Sequence, residues 1–268
     1  MNTETEFVPT RAGAGRSASD DAVSLEAAGE PATATPRGRR LVWDLPLRLF
    51  HWLFAGSILA SWATAEAGFS WMKWHIRLGY WMIGLLSFRV LWGFVGPRHA
   101  RFSSFLKGPR SIWRYARGLS GADEDVHTVG HNPLGGVMVI IMLLLVSFQV
   151  ATGLFATDDI AWTGPYYPTV SNGTADYITH LHHLNFNLIW AAIALHVGAI
   201  LFYALVKRQN LVPAMITGYR PAASVPANEA IASSALWRAF VVLIVSAFIV
   251  YAVLSGAPKF TASSLSFD

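Results

Sequence analysis

Apolar positions gather into five long runs, at 47–65, 75–95, 133–156, 182–206 and 236–255. Each run is close to the ~20 residues that cross hydrocarbon as a helix. The pattern predicts an all-α integral membrane protein with five transmembrane helices, the first four forming a bundle over 41–220. Residues 221–268 then supply a linker, the fifth helix and an outer tail. Residues 1–40 are rich in Ala, Thr, Ser, Gly and Pro and follow neither a helical nor a strand period, which predicts a disordered tail. A competing reading takes Arg37, Arg39 and Arg40 with the apolar stretch 49–62 as a signal peptide cleaved after Ala63-Thr64-Ala65. The long polar tail and the His and Trp residues within that stretch favour a retained helix.

Composition agrees: of 268 residues, 53% are hydrophobic and 13% charged, against about 25% charged in an average soluble domain. No Cys occurs, which excludes disulfides, thiolate-held iron–sulfur clusters, a Cys-based zinc site and covalent c-type haem. The net charge of +4 does not gather on a soluble domain, so it reads as topology rather than nucleic-acid binding. Arg11, Arg16, Arg37, Arg39, Arg40 and Arg48 precede or open the first run. Arg98, Arg101, Lys107, Arg110, Arg114 and Arg117 fill the second loop, and Lys207, Arg208, Arg220 and Arg238 the fourth. The other side has only Lys73, Arg77 and Lys259. By the positive-inside rule the N-terminus is cytoplasmic and the C-terminus outside.

Four of the nine His fall in or at the rim of predicted spans: His51, His75, His182 and His196. Ionisable residues there are costly and mark function, although each could also be a polar residue satisfied by a neighbouring helix. His182 and His196 are 14 residues apart, hence about 21 Å along a helix and within about 40° of one face. Matching partners exist at both levels: His75 opens the second span from outside, and His51 lies near the cytoplasmic start of the first. Two His pairs, His75 with His182 and His51 with His196, are what two bis-His b haems stacked across a four-helix bundle require. His183 points about 100° from His182 and is the weaker candidate. Arg89, 14 residues after His75, lies at the depth of the cytoplasmic pair and needs an anion. A haem propionate would supply it, as one could for Arg77 or Lys73 at the outer level; the alternative for Arg89 is snorkelling to the interface. His131, before Asn132-Pro133, could cap a helix, meet a propionate or line a quinone pocket, or be simply a hydrated residue at the interface. His99, His127 and His180 read as loop residues.

The stretches 48–52 (RLFHW), 75–80 (HIRLGY), 91–97 (LWGFVGP) and 131–136 (HNPLGG), with the His182/His196 helix, resemble in order the prokaryotic cytochrome b-561 family. That family includes the cytochrome b subunits of nickel–iron hydrogenases. The resemblance spans about 41–220 and implies His51, His75, His182 and His196 as ligands of two haem b. It further implies quinone or quinol as one redox partner, and a periplasmic c-type cytochrome or dehydrogenase-like subunit as the other, across a bacterial inner membrane. The loop bearing Asp158, Asp159 and Asp176 offers an acidic docking face or is simply solvated. Two departures stand out: the doubled His182-His183 and the fifth span. Other readings stay open: a haem-bearing anchor without a quinone site, an oxidoreductase acting on a small oxygen species, and a transporter whose His bind metal or relay protons.

Overall fold

The computed structural model describes residues 38–118 and 128–258. The expected disordered tail up to residue 37, the loop reading of His127, and the outer tail with Lys259 lie outside the described residues. Everything described belongs to one unit.

Helix α1 (Leu45–Glu66) starts where Asp44 accepts from the Leu47 amide at 2.9 Å, with Pro46 in its first turn. This combination supplies an acceptor for an otherwise orphaned amide and a residue that needs none. Gly68, at φ 83°, and a 3-10 turn at Phe69–Trp71 reverse the chain into α2 (Met72–Val95). His75 lies against Ser61, Trp81 against Ser57 and Trp92 against Asp44. The two helices are therefore antiparallel and tied together along their length. Leu47, Phe50, Phe54 and Ile58 of α1 join Met82, Leu85, Leu86 and Trp92 of α2 in the main core.

Two small helices, α3 (Phe102–Phe105) and α4 (Pro109–Gly118), follow, and α4 packs on α5 (Pro133–Gly153). Asn132 caps α5 by accepting from Gly135 at 2.6 Å. Helix α6 (Asn172–Leu205), capped by Ser171, runs back along α5. After α7 (Val212–Thr217), helix α8 (Leu236–Ser255) lies along α2, with Val250 packed beside Gly84.

Four segments are long and apolar enough to cross a membrane: Phe69–Val95, Pro133–Gly153, Asn172–Leu205 and Leu236–Ser255. Of the five expected spans, α1 has the length, 22 residues, but Arg48, His51, Ser57, Ser61 and Glu66 dilute its hydropathy. The outer surfaces of α5, α6 and α8 are covered with Leu, Ile, Val and Phe side chains left exposed, as expected of helices bathed in lipid. The molecule is an all-α integral membrane bundle.

One end of this bundle is basic and elaborately tied. Strand β1 (Arg39–Leu41) pairs antiparallel with β2 (Tyr219–Pro221), with Arg40 opposite Arg220. Arg40 donates to the carbonyls of Ala222, at 3.1 Å, and Val225. Arg220 donates to Thr128 and Val129 at 3.0 and 2.9 Å, and Ile231 to Leu41 at 2.9 Å. Val42, Val129 and Val225 make a small core beneath. These bonds join both sides of the position, 220/221, at which the sequence pattern ends the bundle domain, and they place Arg39 and Arg40 in a strand rather than in a disordered tail.

Candidate functional site

Imidazoles meet across the bundle at two levels. At the end away from the small sheet, His75 of α2 faces His182 of α6 with ring centroids 6.1 Å apart. At the basic end, His51 of α1 faces His196 of α6 at 6.4 Å. A metal bonds an imidazole nitrogen at about 2 Å, so two rings that share one metal have centroids about 6 Å apart. Both pairs are spaced to hold an iron between them. Among the described residues no three His, Asp or Glu converge, so the rings come in twos.

The His75/His182 pair is anchored from behind. His75 Nδ1 donates to the Ser61 carbonyl at 2.8 Å, and His182 Nδ1 to that of Gln149 at 3.0 Å, with Thr152 Oγ1 at 3.1 Å. A ring whose Nδ1–H is so engaged presents an unprotonated Nε2, the state in which imidazole binds a metal. Gly153 makes this possible on the α5 side, since a Cβ there would stand 3.1 Å from His182 Cε1. One turn beyond His75, a Cβ on Gly79 would meet nothing within 4 Å, leaving space beside the ring for a flat group. His183 is exposed, with its centroid 6.2 Å from that of His182. Of the doubled pair it is His182 that meets His75.

The sequence pattern has His182 opening a helix; in fact α6 begins at Asn172, ten positions earlier. The first turns are polar and carry Asp176 and His180, so hydropathy alone does not reveal them.

At the basic end His51 Nδ1 is buried without a hydrogen-bond partner, and among the described residues no hydrogen bond reaches the His196 ring. Three further unpartnered buried polar atoms lie close by in the chain or the fold: Asp44 Oδ2, Arg48 Nε and His131 Nδ1. Buried polar atoms are rarely left so, and this end thus fits a ligand with polar edges of its own. The His131 ring sits 4.7 Å from both Trp43 and Phe105. Burial, then the charge of Arg89, then His99, His51 and His196, bring its pKa down to about 3.

Arg89 is 2% exposed, donates to the Ala100 carbonyl at 3.2 Å and lies 4.9 Å from the Phe102 ring centroid. It neither snorkels nor faces outward: the chain beyond α2 folds back under it. Asp44 supplies the nearby negative charge. Its Oδ1 accepts from Leu47 and, at 2.9 Å, from Trp92 Nε1. Burial pushes its carboxyl up, opposed by those hydrogen bonds and by Arg89. At the other level Arg77 stacks over Trp74 at 4.8 Å. Asp158, taken as part of an acidic docking face, accepts from the amides of Ile160, Ala161 and Trp162 through Oδ1, so it shapes its own loop. The buried Asp44, its bond to Trp92 and the backbone anchors of the rings escape sequence reading; only Asp44 ahead of Pro46 carries a signal, that of a helix cap.

Facing imidazoles inside a membrane helix bundle, able to hold iron and lacking any Cys, are the construction of a membrane b-type cytochrome. Residues 42–218, well over half of the chain, match the family model for prokaryotic cytochrome b561, and the chain belongs to that family. Similar proteins include the probable Ni/Fe-hydrogenase B-type cytochrome subunit of Bradyrhizobium diazoefficiens, 24% identical over 74% of this chain and 92% of that protein. The subunit of the same name from Azotobacter vinelandii is 26% identical over 67% and 87%. The probable Ni/Fe-hydrogenase 1 B-type cytochrome subunit of Escherichia coli K12 is 25% identical over 67% and 89%. No solved structure matches the chain. Family membership makes this a multi-pass membrane cytochrome that carries haem b and transfers electrons across the membrane.

Proposed function

We propose that the chain passes electrons between the membrane quinone pool and a redox protein at the opposite face, through two haem b groups. His75 and His182 would hold one, His51 and His196 the other. The observation that carries this reading is the pair of 6.1 and 6.4 Å ring separations on one shared helix, α6. When bound, the haem supplies one-electron chemistry between ferric and ferrous iron. The protein's own part is to fix four neutral imidazoles, to turn Nε2 of His75 and His182 inward through backbone carbonyls, and to keep water out with the packed core between the levels. Arg77 and Arg89 lie near the outer and basic-end levels respectively, available to offset negative charge there.

In this reading the basic end is cytoplasmic, the His75/His182 end periplasmic, and the membrane a bacterial inner membrane. The relatives named as hydrogenase subunits support a redox partner complex; for this chain the partner would be a periplasmic c-type cytochrome or dehydrogenase subunit. The test is a dithionite-reduced minus air-oxidised spectrum of the purified chain with pyridine-haemochrome stoichiometry, followed by reduction with a quinol. A sharp alpha band, close to two b haems per chain and reduction by quinol are expected. One haem per chain would overturn the two-site assignment, and haem that quinol never reduces and quinone never reoxidises would overturn the quinone partner.

A further inference from the structure

The fifth helix lies outside the four-helix arrangement and takes no part in the His pairs, yet it builds a feature of its own. Between the C-terminal end of α2 and the N-terminal end of α8 runs a cavity of about 560 Å³ with Phe94, Val95, Val241 and Val242 as its walls. A second cavity of about 510 Å³ adjoins it, sharing Trp237 and Arg238. Phe94 is 68% and Trp237 74% exposed, so the apolar wall faces the surroundings of the bundle. Arg101 and Arg238 also line it. Both are exposed, and among the described residues neither guanidinium has a hydrogen bond or ion pair. The neighbouring Arg98 differs, being engaged with the Asn228 carbonyl at 2.9 Å and Glu229 at 3.9 Å.

Two guanidiniums without a partner among the described residues, lining an apolar wall at the end of membrane helices, make an amphipathic receptor. Its charge calls for an anion, its wall for hydrocarbon, and its position for a molecule already in the membrane. We propose that an anionic phospholipid binds between α2 and α8, its phosphate held by Arg101 and Arg238 and its acyl chains along Phe94, Val95 and Val241. Guanidinium matches phosphate in bidentate geometry, and basic residues at the membrane surface favour anionic lipid. A neutral quinone would leave both cations unanswered. The inference rests on the membrane placement of the bundle and is independent of which histidines hold haem.

The test is native mass spectrometry of the full haem-loaded chain in neutral detergent, titrated with dioleoylphosphatidylglycerol or dioleoylphosphatidylcholine. The wild-type chain should bind the anionic lipid at least about tenfold more tightly. Arg101→Gln/Arg238→Gln should abolish that preference. Val241→Trp, which fills the groove and keeps both cations, should weaken binding of either lipid. An unchanged haem spectrum verifies that the variants are folded. Equal affinity for the two lipids in the wild type, undiminished binding by the double variant, or loss confined to Arg110→Gln/Arg114→Gln on α4 would each overturn the proposal.

Discussion

At the His75/His182 level both rings are held from behind by backbone carbonyls, Ser61 on α1 and Gln149 on α5. At the His51/His196 level neither ring is so held, and a buried Nδ1 is left over. Four residues of one type, at nearly equal ring separations, thus have opposite surroundings. One pair is positioned by hydrogen bonds to the backbone; the other is positioned by packing alone. Hydrogen bonding at Nδ1 also raises the basicity of the nitrogen opposite, whereas buried Arg89 adds positive charge near the basic end. The two levels are therefore electrically unequal.

The largest expected effect breaks the comparison outright. Replacing either member of a pair, His182→Ala or His196→Ala, should lower the haemochrome stoichiometry from about two to about one per chain, while His183→Ala keeps both. In a redox titration the step lost with His182→Ala should be the one at lower potential, since a more basic ligand favours ferric iron; loss of the higher step instead would reverse the electrical ranking.

Acid comes next. The folded-state pKa of His131 is about 3, below the ordinary value of about 6.5. An unfolded chain takes up that proton first, so the contribution of His131 to stability is full above about pH 6.5 and is lost as the pH falls toward 3. Acid should therefore release the haem at the basic end first, and His131→Phe should flatten this dependence, read from absorption against pH.

Smaller again is Asp44→Ala, which removes the cap of α1 and strands the indole N–H of Trp92. About 1–3 kcal/mol of stability should go, measured as earlier thermal loss of the haem spectrum. Asp44→Asn should keep most of it. The smallest and most selective change is Gly153→Ala: its Cβ would crowd His182 at 3.1 Å and should shift one midpoint potential and not the other.

Much of the bundle is legible as hydropathy, and α8 begins and ends where the apolar run 236–255 does. The spacing of His182 and His196 likewise anticipates two levels on one helix, and the structure brings each beside the imidazole expected. What stays illegible depends on contacts between segments distant in sequence. Nothing in the spacing of Arg89 announces that Ala100 and Phe102 return beneath it. Three-residue strands such as β1 and β2 are too short to carry a period. The backbone carbonyls of Ser61 and Gln149 leave no mark in the side-chain pattern at all, although they are what separates one His pair from the other.

The small sheet has a consequence for the making of the protein. Arg40 and its acceptor Ala222 are 182 residues apart, and a chain emerges from the ribosome in order, N-terminal parts first. The clasp between β1 and β2 can form only after α1, α2, α5 and α6 have all been delivered. His75 and Ser61, only 14 residues apart, meet almost as soon as they are synthesised. The two halves of the anchored level are thus set at different times: His75 finds its carbonyl early, His182 finds that of Gln149 only once α6 is made, and the basic end closes last, like a buckle fastened when the rest is in place.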